Sequence, residues 1–195
     1  MTAGTNESPA GAAAPRVGAR LRAYGLLFAL AACVLAADQG TKAWVASRIP
    51  FGTYWESPGA ITVVPGFFYI VHVGNTGAAW SLMTGSSVLL AGLAAATLAA
   101  IFLCRRALEL RTLRSQLCFG LLTGGILGNL TDRVIREHGP IRHYVVDFID
   151  LHFGSYIYPT FNVADSAICA GVVLYLLQSL TPRSPSAPGS APARS

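Results

Sequence analysis

Four apolar stretches, at about residues 21–44, 86–103, 117–130 and 161–180, constrain this chain more than any other feature. One crossing of the bilayer core takes about 20 mostly apolar residues. Each stretch therefore reads as a membrane-spanning helix, and 195 residues leave room for little else beyond one compact domain. The composition agrees. Only 12% of the residues are charged and 53% are hydrophobic, with a mean hydropathy of +0.51. A soluble domain is about 25% charged, and a disordered chain lacks the apolar residues, so both are excluded. The predicted fold class is a membrane all-α bundle of four transmembrane helices with a small β-rich platform on the outer side. Residues 1–15 and 182–195, rich in Ala, Gly, Ser and Pro, read as disordered tails around a membrane domain at 16–181.

The first stretch competes with a signal peptide, since Arg16, Arg20 and Arg22 precede it. It runs instead into Asp38-Gln39-Gly40-Thr41-Lys42 without a small-residue cleavage site. Charge orients the spans. Residues 1–22, the loop at about 104–114 and the C-terminal tail carry nine basic residues against Glu7 and Glu109. The opposite side carries five basic residues against seven acidic ones. The positive-inside rule then places both termini in the cytoplasm. The net charge of +5 reflects this topology, and no nucleic acid is called for. Cys33, Cys104, Cys118 and Cys169 form no CxxC pair and indicate neither a disulfide frame nor a metal site. His72, His138, His143 and His152 lie in the outward connections at no ligand spacing, so no metal is expected. Those connections, about 45–85 and 131–160, hold β-branched and aromatic runs punctuated by Gly and Pro, which predict short strands.

The polar residues carry the chemistry. Such side chains are costly in a bilayer and face a bundle interior or a water-filled site. Here they gather at the outer end of each span. Asp38 and Lys42 are spaced i,i+4, and Asn75 precedes the second span. Asn129, Asp132 and Arg133 end the third; Asn162 and Asp165 begin the fourth, with Asp147 in the loop before it. Taken singly, each has a simpler explanation. Asp38 and Lys42 can be a structural ion pair, the Asn side chains interhelical glue, and Arg133 an interfacial anchor. Asp150 reads as a solvated loop acid. Taken together, they place two carboxylates, Asp147 and Asp165, at one membrane surface. Two acids in close approach cannot both ionise cheaply, so one proton is shared. One carboxylate can then activate water while the other protonates a peptide carbonyl. There is no GxSxG and no Ser-His-Asp set.

Five blocks, DQGTK (38–42), NTGAAW (75–80), GGILGNLTDR (124–133), VVDFID (145–150) and FNVADS (161–166), follow one another in order. In these the chain resembles the lipoprotein signal peptidases, or signal peptidase II. The resemblance implies a four-helix aspartic endopeptidase of the bacterial inner membrane, with its active site at the outer, periplasmic face. It implies a prolipoprotein substrate carrying diacylglycerol on a Cys, cut just before that Cys to release the signal peptide. Asp147 and Asp165 match the catalytic dyad. Asp38, Lys42, Asn75, Asn129, Arg133 and Asn162 match supporting residues. The resemblance further implies contact with membrane lipid, sensitivity to a cyclic peptide of the globomycin type, a monomer, and no cofactor. Two departures stand out: Trp80, where the family more often has Phe, and a longer link at 134–144. Rival readings are a transporter, a non-catalytic scaffold and a presenilin-type protease. The first expects polar residues at the midplane, the second needs no acid pair, and the third needs a GxGD motif that is absent.

Overall fold

A computed structural model describes residues 23–77 and 82–180. Both predicted tails, and Ala78–Trp80 of the second block, lie outside the described residues. In chain order the elements are α1 (Gly25–Arg48), β1 (Ile61–Val64), β2 (Phe68–Asn75), α2 (Ser87–Leu103) and α3 (Leu113–Ile135). There follow β3 (Glu137–His138), β4 (Ile141–Arg142), β5 (Val145–Phe153), β6 (Tyr156–Ile157) and α4 (Val163–Leu180).

Helices α1 and α4 are long and apolar enough, by length and composition, to cross a membrane. The other two expected spans differ. Helix α2 is apolar but has 17 residues. Helix α3 has 23 residues, well past the apolar run at 117–130, and includes Gln116, Asn129, Asp132 and Arg133. Its polar residues are tolerable because α3 packs between α1 and α4 and finds partners there. Gly120, Gly124 and Gly128 recur every four residues, and this stripe lies against Leu30, Ala31 and Asp38 of α1. A Cβ on Gly124 would come within 2.8 Å of the Ala31 carbonyl oxygen. Gly125 lies as tightly against the Ala164 backbone of α4. Small residues at such spacing let helix backbones approach, which is how helices associate where no hydrophobic drive exists between them. Outward, Val88, Leu93, Phe102, Leu176 and Leu177 are exposed apolar side chains, as a lipid-facing surface requires.

The strands predicted from the outward connections form a four-stranded antiparallel sheet in the order β1-β2-β5-β6. It rests on the end of α1, where Val45 and Ile49 pack with Tyr144, Val146 and Phe148. The register sets Val73 opposite Asp147 and Asn75 opposite Val145. The long link at 134–144 becomes a separate hairpin, β3–β4, in which Glu137 faces Arg142. His138 stacks on Phe51 with ring centroids 4.3 Å apart.

One expectation is corrected. Asp150 is not a solvated loop acid. It is buried in β5, 3.0 Å from His152 Nε2. Nearly all of β5 is buried on both faces, so strand alternation sends no face to solvent. His72 and His152 are likewise buried in strands; His72 Nδ1 lies 2.8 Å from the Ile49 carbonyl.

Candidate active site

Asp165 owes its place to the start of α4. Asn162 precedes the helix, and its side-chain oxygen accepts the Asp165 N–H at 2.9 Å. Asp165 Oδ2 accepts the Asn162 N–H in return, at 3.1 Å. This reciprocal arrangement is a capping box, which satisfies two helix-end donors and fixes both side chains. Asn129 of α3 then donates to Asp165 Oδ1 at 2.7 Å. Asp147 is placed by the sheet. Its Oδ2 accepts from Asn75 Nδ2 at 2.9 Å, and its Oδ1 accepts from Asn162 Nδ2 at 2.7 Å. Asn162 thus touches both acids.

Asp147 and Asp165 line one cavity of about 550 Å³, together with Asn75, Asn129 and Arg133. Asp147 is only 3% exposed. Burial, and next the charge of Asp165, push its pKa up to about 7; the Asn75 and Asn162 amides and Lys42 oppose the shift. The two acids titrate as a pair. Two acids set against each other in this way can hold one proton between them, and such a pair can both give one and take one. Arg133 donates to the Gly77 carbonyl at 2.9 Å. Its Nε is buried with no acceptor among the described residues.

Of the eight residues expected from the sequence, five line this cavity. The other three, Asp38, Lys42 and Asn162, lie behind it and are fully buried. Lys42 Nζ is 2.8 Å from Asp38 Oδ2 and 2.9 Å from Asp132 Oδ2. It also donates to Asn129 Oδ1 at 2.9 Å, so the amide of Asn129 must present its N–H₂ to Asp165. The two carboxylates bonded to Lys42 reach backbone on either side. Asp38 accepts the N–H of Ala164, one residue before Asp165, at 3.0 Å. Asp132 accepts the N–H of Val146, one residue before Asp147, at 3.1 Å. One buried cation therefore ties together the backbone beside each acid.

Asp132 and Gln39 are the members that the sequence reading left unassigned. Gln39 Nε2 donates to Asp38, Asp132 and the Gly128 carbonyl, each at 3.1 Å. Arg136 adds a second cation at 2.7 Å from Asp132. The available signal was spacing: Asp132 and Arg136 are i,i+4 across the end of α3, as Asp38 and Lys42 are within α1. Among the described residues no group of three His, Cys, Asp or Glu could hold a metal ion.

Comparison with known proteins gives the class first. The fold resembles a bacterial membrane enzyme solved by the in meso method at 2.3 Å, with a TM-score of 0.69 and 31% identity over 80% of this chain and 88% of that one. A second such structure, at 1.9 Å, gives 0.67 and 31% over 80% and 93%. Helices capped by a small antiparallel sheet are thus the architecture of a bacterial membrane enzyme. The signal peptidase (SPase) II family model matches residues 30–181. A lipoprotein signal peptidase of Oleidesulfovibrio alaskensis is 40% identical over 160 residues, 79% of this chain and 94% of that one. Another, from Bacillus subtilis, is 35% identical over 157 residues, 80% and 93%. The chain belongs to the signal peptidase II family, and lipoprotein signal peptidase activity is the function this membership supports.

Proposed function

We propose that this protein is an aspartic endopeptidase that cuts a diacylglyceryl-modified prolipoprotein just before the lipidated Cys and releases the signal peptide. One observation carries the reading: Asp147 and Asp165 share a cavity, with Asp147 poised to hold a proton near neutral pH. The ionised member of the pair takes a proton from water. The oxygen attacks the scissile carbonyl carbon while the protonated member gives its proton to the carbonyl oxygen. The tetrahedral diol then collapses. The carbon–nitrogen bond breaks; the leaving amine takes a proton from the protonated member, and a diol hydroxyl gives its proton to the ionised member as the carbonyl re-forms, so the pair regains its single proton. No covalent enzyme intermediate and no cofactor enter.

Arg133 supports the substrate in this scheme. Its unpaired Nε is available to a carbonyl of the peptide or of the lipid ester, and orientation of that kind lowers the barrier. Asn75, Asn129 and Asn162 hold the two acids; Asp38 and Lys42 brace them from behind. A globomycin-type cyclic peptide would block the same cavity.

Four spans with both termini cytoplasmic, in the inner membrane, complete the proposal. The Arg-rich tails and the 104–114 loop favour that orientation. It sets the acid pair at the outer face, where the acyl chains of the substrate are still in lipid. The protein acts as a monomer.

The test uses a host lacking its own lipoprotein signal peptidase. Wild type is expected to convert the diacylglyceryl-modified precursor on a gel. Asp147→Asn and Asp165→Asn are expected to insert normally and lose about 10³-fold or more of the activity. Cleavage by either variant near the wild-type rate would remove that Asp from catalysis.

A further inference from the structure

The acids do not sit at the end of a pocket. Past Asp147 the site continues into a second cavity of about 560 Å³. The two cavities share Asn75, Gly77, Asp147, Tyr158, Pro159 and Thr160. Asp147 stands at their junction, whereas Asp165 lines only the first.

Their walls differ in kind. The first cavity follows α4 through Ser166, Ile168 and Cys169, on a helix apolar enough to cross a membrane. Among the described residues the second takes no wall from any helix. Tyr54, Trp55, Thr76, Thr84 and Asp150 shape it, from the loops and the sheet. Along it run Val73 and Gly74, at the end of β2 that pairs with β5 and lies just past the bridge joining His72 to Thr53 on its other edge. An extended peptide can add to a strand edge of this sort through its own backbone.

The wall is also built, not merely open. Asp150 is 4% exposed. His152 Nε2 lies 3.0 Å from its Oδ2, and Thr160 Oγ1 donates to its Oδ1 at 3.4 Å. Trp55 meets the His152 ring edge-on, with centroids 4.9 Å apart. No Lys or Arg lines this cavity among the described residues.

On the reading of the preceding subsection, three branches meet at the scissile bond. The signal peptide and the acyl chains are apolar, and only the mature chain is a polar peptide. We propose that the second cavity is the mature-side subsite: it binds the first residues after the lipidated Cys as an extended strand, and Asp150 sets its preference. With acidic groups and no basic one in the wall, a basic or neutral side chain is accepted there and an acidic one is opposed.

The experiment measures kcat/KM of the full-length enzyme in nanodiscs. The substrates are diacylglyceryl-modified precursor peptides with Lys, Ser or Glu two residues after the Cys, and one peptide truncated directly after it. Wild type is expected to cleave the Glu substrate about tenfold less efficiently than the Lys substrate, through KM. Asp150→Asn is expected to bring that ratio within about threefold. Trp55→Ala, which keeps every catalytic contact, is expected to raise KM for the long substrates and leave the truncated one unchanged. Equal wild-type efficiency for Lys and Glu, or equal KM for long and truncated peptides, overturns the subsite. Failure to cleave any of them overturns the peptidase reading as well, so the two failures are told apart.

Discussion

Lys42 and Asp147 are joined by three hydrogen bonds that run through Asn129 and Asn162, yet their surroundings are opposites. Around Lys42 no side chain of Asp38 or Asp132 reaches solvent, and every charge has a partner of opposite sign. Around Asp147 the protein is hollow on two sides, and a second acid is set beside it; Arg133 lines the same cavity, but among the described residues no cation forms an ion pair with either carboxylate. A buried charge is tolerated when it is paired and hydrogen-bonded. An acid facing another acid is kept uncomfortable, and that discomfort is what perturbs its pKa. The rear half satisfies its charges with opposite ones; the front half sets two acids against each other.

The contrast can be broken from behind. Lys42→Met leaves Asp38 and Asp132 buried without their shared cation, and breaking such a pair costs about 3–5 kcal/mol. The expected result is a large fall in the thermal midpoint in detergent. A midpoint within a degree or two of wild type would mean the rear cluster does not hold the bundle together. Asp132→Asn is milder, since the amide oxygen can still accept the Val146 N–H. It loosens the strand carrying Asp147, and kcat is expected to fall about tenfold with little change in KM, because small misplacements are costly. A change confined to KM would instead put Asp132 in contact with substrate.

The smallest effect concerns pH and stability. Asp147 has a folded pKa raised to about 7 from an ordinary 3.8. The folded state therefore holds that proton more tightly than the unfolded state. The stability tied to it is fully present below about pH 4 and is lost as pH rises through about 7. Asp147→Asn removes this dependence. The difference in midpoint between pH 5 and pH 8 is expected to narrow by the equivalent of about 1 kcal/mol or more. An unchanged difference would locate the dependence in other groups.

The front of the site was legible in the sequence and the rear only partly so. Asn75, Asn129, Arg133, Asp147 and Asp165 announce themselves because polar side chains at one depth of an apolar chain need a reason. Nothing in the spacing says which of them meet a cavity, and Asp38, Lys42 and Asn162 turn out to stand behind it. Asp132 was seen in the same cluster but left without a role, because its importance lies in a backbone contact with Val146, 14 residues away. Asp150 was misjudged because β5 is covered on both faces, a property of the assembled sheet. Strands β2 and β5 were readable from their β-branched and aromatic runs. The full length of α3 was not, since its polar residues are paid for by partners on α1 and β5.

The most direct test of the shared proton is the pH dependence of kcat for precursor cleavage by the purified wild-type enzyme in nanodiscs. In the proposed mechanism the pair works with one carboxyl protonated and one ionised. A bell-shaped profile is expected, with an alkaline limb falling above about pH 7 as Asp147 loses its proton. A rate that stays level to pH 9 would contradict a catalytic proton held by Asp147.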